Sequence, residues 1–433
     1  MIKLNHCYYF TMKYKKITLS NGLRILTVPM RNTQTVTVVI MAGVGSRYET
    51  KKEAGLSHFL EHMFFKGTKK RPTFHQIAEE LDAIGGEYNA FTSKDKTGYF
   101  AKVDSSHSEV AIDVVSDIFL NSKLDAKEIE KEKGTIIQEI NMYEDTPRIS
   151  IGDVFENLIF KESNLGREII GTRKTVRSFK RKDLISHKNK FYTANNTVVC
   201  IAGDFEEKDI LSNIKKYFLT MKKGIIPKFE KVKEQQTTPQ VKIKFKETDQ
   251  THLILGNRAY HQEHKDRFAL KLLAVILGGN ASSRLFVEIR EKKGLAYSVS
   301  TEVEAYHDCG YLATQSGVDH DKLEETIKII LREYKRMTEE RVNAKELQKA
   351  KDYIKGRSVM NFESSDEVAI FYIDQEVRKG KIMTLPEMFA QIDKVTPDDI
   401  LRVAQDIFVN RKLNLAVIGP HKNAKNLQKL LKL

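Results

Sequence analysis

The sequence predicts an α+β protein: two homologous halves, each an antiparallel sheet with helices packed beside it. Three observations carry that expectation. A chain of 433 residues with 41% hydrophobic and 30% charged residues is globular and longer than one hydrophobic core serves. The chain is also written twice. Residues 183–203 (DLISHKNKFYTANNTVVCIAG) align without a gap on residues 399–419 (DILRVAQDIFVNRKLNLAVIG), an offset of 216, and DAKEIEKEKGTI from Asp125 answers NAKELQKAKDYI from Asn343 at 218. GYFA from Gly98 matches GYLA from Gly310 at 212, so three matches fall in the same order at nearly constant spacing. Finally, each half opens on strands of alternating polarity and closes on helices and one apolar strand.

Taken in order, the opening MIKLNHCYYFTMKYKK lacks the apolar core and small-residue cleavage site of a secretory signal, and it is poor in the Arg and Ser of a mitochondrial transit peptide. Met12 is an alternative start. Residues 1–14 carry no readable role, and patterned sequence begins at Lys15. The strands ITLSNGLRILTV and TVTVVIMAG precede a helix in GLSHFLEHMFFKGT, EYNAFTSKDKTGYFAKV supplies further strands, and residues 124–143 form a long helix. The second half repeats this plan with VKIKFKE, HLILGNR, the helix RFALKLLAVILGG and the strands of YSVSTEVEAYHDCGYLATQ. Between them KKGIIPKFEKVKEQQTTP is polar and proline-marked. The expected domains are therefore 1–221, a linker at 222–239, and 240–433.

Composition excludes several function classes. No apolar run approaches a membrane span. The net charge of +14 invites a nucleic-acid reading, but Lys and Arg are spread along the chain beside Glu, and no RNA-binding signature appears. Cys7, Cys200 and Cys309 are odd in number and scattered, which fits a reducing compartment, with a bacterial cytoplasm as the expected setting. Cys200, inside TVVCIAG, reads as a core thiol.

The chemistry concentrates in one helix. His58 and His62 fall on one face a turn apart, and Glu61 flanks that face, in the H-x-x-E-H order that reverses the commoner zinc motif. Zinc accepts imidazole nitrogen readily, and a catalytic site keeps three protein ligands and a water whose proton a carboxylate such as Glu61 can take. The plain alternative is a buried amphipathic helix with hydrogen-bonded histidines, since Phe59, Leu60, Met63 and Phe64 are apolar. That reading buries Glu61 without a partner, a cost the metal site removes. A third ligand is sought in residues 124–143, where Glu132 and Glu139 lie two turns apart on the same face. Glu139, flanked by Ile136, Ile137 and Ile140, calls for a cation; Glu132 sits in a lysine-rich turn and reads equally as solvated. The second half has Ala350 and Arg357 at the matching places and no histidine in RFALKLLAVILGG. The fold therefore does not need the ligands.

His58, Glu61, His62 and Glu139, the last two separated by 76 residues, resemble the pitrilysin/insulinase family of zinc metallopeptidases, on the branch of mitochondrial processing peptidase and small bacterial homologues. GSRYE, FFKGT, GGEYNAFTSKDKTGYFA and LGGNASSRLFVEIREKKGLAYSV extend the likeness from about Lys15 to the end. The resemblance implies two α/β rolls closed like a clamshell around a chamber. It implies one Zn2+ per chain on His58, His62 and Glu139, Glu61 as general base, and Glu132 as a supporting residue that is not a ligand. It makes Tyr297 a donor to the oxyanion and Arg290 a substrate holder, where the residues alone read as a strand tyrosine and a surface arginine. Asn89 and Ala90 match an edge strand that takes substrate as an added β-strand.

The expected activity is thus a zinc metalloendopeptidase acting on short or unfolded peptides. Two-subunit relatives divide the metal motif and the Arg/Tyr pair between chains; this chain keeps both, so a homodimer is expected. The alternatives are a non-catalytic assembly subunit and a basic nucleic-acid-binding protein.

Overall fold

The computed structural model describes residues 13–161, 163–226, 228–378 and 381–433; Cys7 and Met12 lie outside them. These residues form two compact units that interleave along the chain. The first holds the described residues up to Ile140, then Glu168–Glu230 and Arg357–Glu387; the second holds Asn141–Arg167, Lys231–Gly356 and Met388–Leu433. A contiguous division at 222–239 was expected, whereas the units exchange one further segment in each direction.

The first unit is built on six strands, β1 (Lys15–Thr18), β2 (Arg24–Pro29), β3 (Thr35–Ala42), β4 (Glu87–Thr92), β5 (Thr97–Asp104) and β6 (Thr197–Gly203), in the order β1-β2-β6-β3-β5-β4. The second has five, β7 (Gln240–Phe245), β8 (Thr251–Ala259), β9 (Ala296–Ala305), β10 (Gly310–Val318) and β11 (Leu413–Gly419), in the order β7-β11-β8-β10-β9. Leaving β1 aside, the two orders coincide strand for strand, which is the repeat made visible. Each sheet also contains one parallel pair, β2 with β6 and β7 with β11. Sequence alternation marks which face a strand buries and says nothing of its neighbour's direction, so the expectation of wholly antiparallel sheets needed this correction.

The exchanged segments carry one helix each. Ser365–Val377 lies on the first sheet, where Ser365 Oγ shares hydrogen bonds with Thr35 Oγ1 (2.9 Å) and Thr37 Oγ1 (2.8 Å) and Glu376 pairs with Arg24 (3.3 Å). Pro147–Ile159, 218 residues earlier, packs Ile151 and Phe155 against Ile254 and Ile418 of the second sheet. Covered on both faces, β6 and β11 bury all seven of their residues, which is why both read as continuous apolar runs. Each fully buried Val or Ile there contributes about 1.5–3 kcal/mol. Cys200 is one of these core residues, and Cys309 is buried as well.

Candidate metal centre

The histidine helix, Leu56–Phe64, starts at Gly55, whose φ of +95° is left-handed. A Cβ at Gly55 would lie 2.5 Å from the carbonyl oxygen of Ile170, so only glycine lets the chain turn here. Leu56, Phe59, Leu60, Met63 and Phe64 are buried, and their spacing turns His58, Glu61 and His62 to the opposite side. The second contributor is the helix Ala126–Glu144, which buries Ile129, Glu132, Ile136 and Ile140.

The two helices bring His58, His62 and Glu139 together: one donor atom from each lies within 4.8 Å of the other two. His58 Nε2 stands 3.5 Å from Glu139 Oε1, and His62 Nε2 stands 3.4 Å from Glu139 Oε2. Zinc bonded to nitrogen and oxygen at about 2.0–2.1 Å in a tetrahedron separates its ligands by about 3.4 Å. The residues fit the ion. His62 Nδ1–H donates to Glu132 Oε1 at 2.9 Å, which assigns the tautomer and leaves Nε2 facing Glu139. Glu132 is buried, where a solvated residue was one expectation, because Lys66 Nζ reaches its other oxygen at 2.7 Å.

The electrostatics point the same way. Burial pushes the His62 imidazole down, but hydrogen bonds to Glu132 and Glu139 and their charges overcome this and lift it to about 9. Burial pushes the Glu139 carboxyl up, yet His58 and His62 hold it well below the usual carboxylate range, and His62 and Lys66 do the same for Glu132. A place that favours a proton on a buried imidazole favours any cation between these groups.

Glu61 Oε2 accepts a hydrogen bond from Thr92 Oγ1 at 2.5 Å. Thr92 ends β4, which pairs only with β5 in the first sheet and so leaves one edge without a strand among the described residues. Asn89 and Ala90 lie on this strand and border a cavity of about 250 Å³ with Glu61, His62, Phe65 and Tyr88; Ala90 N–H donates to Asn89 Oδ1 at 2.8 Å. Arg290 and Tyr297 belong to the second unit. There Arg290, in the π-helical turn Phe286–Glu291, donates to the Tyr297 carbonyl at 2.9 Å and lies 4.6 Å from its ring centroid, while the Tyr297 side chain is exposed. Lys66 and Thr92 were missed from sequence. Lys66 stands four residues after His62, and Thr92 two after Ala90 on the same strand, so helical and strand periods could have flagged both.

Residues 24–173 match the family model described as insulinase (peptidase family M16), and residues 178–354 match that of the peptidase M16 inactive domain. YmxG, an uncharacterized zinc protease of Bacillus subtilis, is 35% identical over 94% of this chain and 99% of its own length. An uncharacterized zinc protease of Rickettsia felis is 37% identical over 93% and 97%. Among solved structures, a protease from Helicobacter pylori has a TM-score of 0.88 at 24% identity, covering 94% of this chain and 100% of that one. The M16 inactive-domain protein of Pseudomonas fluorescens has a TM-score of 0.86 at 18% identity, over 96% and 99%. At these identities the solved structures speak for the fold alone.

Proposed function

This chain belongs to the insulinase (M16) family of peptidases, and we propose that it is a zinc-dependent endopeptidase of short or unfolded peptides, with one zinc per chain. The convergence of His58, His62 and Glu139 within 4.8 Å, with Glu61 on the same helix, carries the reading. Zinc, when bound, supplies a Lewis acid that makes water a nucleophile at neutral pH. Glu132 keeps His62 Nε2 free for that ion by accepting the hydrogen bond from Nδ1–H, which holds the ring proton on Nδ1. Glu61, oriented by Thr92, takes the proton of the attacking water and returns it to the leaving amine. A peptide added along the open edge of β4 lies beside Asn89 and Ala90, a mode that selects extended chains more than sequences. Tyr297 and Arg290 enter as oxyanion donor and substrate holder on the family resemblance. A homodimer is proposed because both motifs sit on one chain, and a bacterial cytoplasm because the relatives are bacterial.

Glu61→Gln tests the reading. Metal analysis should find zinc retained at one per chain, while cleavage of a fluorogenic peptide falls about 10²–10⁴-fold. Undiminished cleavage by that variant, or a wild-type protein that neither holds zinc nor responds to chelator, sinks the proposal.

A further inference from the structure

We infer that Glu49 is the positioning residue of the histidine helix, holding the first turn of Leu56–Phe64 so that His58, Glu61 and His62 stand in register with Glu139. The inference deepens the metallopeptidase reading and rests on it.

A helix leaves its first N–H groups without partners inside the helix, and a Ser, Thr, Asp or Asn at the N-cap usually supplies one. This helix has no such residue: its N-cap is Gly55, imposed by the left-handed turn against Ile170, and it has no side chain to offer. Glu49, just beyond the 3-10 turn Ser46–Tyr48, fills the gap. Its carboxylate is 1% exposed; Oε2 accepts the Gly55 N–H at 2.8 Å and Oε1 accepts the Ser57 N–H at 2.6 Å. Burial lifts the Glu49 carboxyl to about 7, and the hydrogen bonds from Ser57 and Gly55 oppose that rise; in its ionised form these bonds are charge-assisted and gain from the helix dipole. Ser57 is tethered again on its side chain, where Oγ shares a hydrogen bond of 3.1 Å with Nε2 of His187, 3% exposed, on the helix Arg181–Phe191. The next residue is His58. In a helix of nine residues, two buried tethers on the first turn set the place of a ligand one position on.

The second unit offers a contrast. Its corresponding helix, Arg267–Gly278, carries no ligand, and Asp266 at its N-cap makes no side-chain cap; the carboxylate pairs instead with Arg402 at 2.9 and 2.8 Å. A helix that only has to pack does without the clamp. A metal site needs its ligands within about 0.5 Å of the productive geometry.

The test compares Glu49→Ala and Glu49→Gln with Ile327→Ala, a cavity in the core of the second unit where Ile327 is 0% exposed. Zinc affinity is read by chelator competition, kcat and KM on a fluorogenic peptide, and stability by urea unfolding. Glu49→Ala should weaken zinc about tenfold or more and lower kcat with little change in KM. Glu49→Gln, which keeps one acceptor oxygen in the same shape, should fall between; if Glu49→Ala does not fold, Glu49→Gln decides alone. Ile327→Ala should lose stability with zinc affinity and kcat intact. Glu49 variants that lose stability yet keep wild-type zinc affinity and kcat overturn the inference and leave the peptidase reading standing. A wild-type chain without zinc overturns both.

Discussion

The two sheets share one strand order, yet the helices beside them differ where chemistry is concerned. Glu132 and Ala350 occupy matching positions in the helices Ala126–Glu144 and Ala344–Asn361, and both are 1% exposed. One buried place holds a carboxylate in the first repeat and a methyl group in the second. Burying an unpaired carboxylate costs several kcal/mol, so the first repeat must bring cations to it, and His62 and Lys66 do so. The second repeat needs only volume there. On the proposed reading, function here is a set of side chains grafted onto a scaffold that the second repeat builds without them.

Writing the second repeat's residues into the first tests that comparison, and the largest effect is expected at Glu139. Glu139→Arg installs the residue found 218 positions on, replacing the carboxylate with a cation beside His58 and His62. Zinc binding and peptide cleavage should both be lost, the latter by more than about 10³-fold, while circular dichroism and cooperative unfolding of the zinc-free variant match the zinc-free parent. Loss of the folded state would break the comparison, because the ligands would then belong to the fold. Glu132→Ala should act more gently. It removes the acceptor for His62 Nδ1–H and leaves all three proposed ligands, so zinc affinity in chelator competition should fall about ten- to a hundredfold.

Much of this is legible in the sequence alone. The apolar spacing of Phe59, Leu60, Met63 and Phe64 turned the histidines to one side, and three isoleucines around Glu139 marked a carboxylate in need of a cation. The constant offset announced two units of one plan. Other features were hidden because they depend on long-range partners that periodicity cannot name. The parallel pairing of β2 with β6 spans a whole repeat. The exchange of Pro147–Ile159 and Ser365–Val377 between units leaves no mark on either helix's own pattern. Glu132, among lysines, read equally as solvated, and the partner that closes over it, Lys66, lies two residues past the end of the histidine helix. Glu49 required the φ of Gly55, a backbone fact that no side chain in GSRYE reveals.

The smallest expected effect sharpens the comparison at a core position. His187 aligns with Val403, and both are buried. Burial is the main cause that holds the His187 imidazole down at about 4; Lys190 adds to it and Glu53 opposes it. Unfolded, the same ring titrates near 6.5. Between those values the unfolded chain binds the proton and the folded one does not, so the contribution of His187 is complete at pH 8 and lost as pH falls. At pH 5 the loss is about 2 kcal/mol. His187→Val removes that liability together with the hydrogen bond to Ser57 Oγ and part of the buried ring's packing, losses that together cost about 1–3 kcal/mol. In urea unfolding the variant should therefore be the less stable protein at pH 8, and the gap should close by about 2 kcal/mol at pH 5. A gap that stays constant between the two pH values would show that His187 is no more pH-sensitive in the first repeat than valine is in the second.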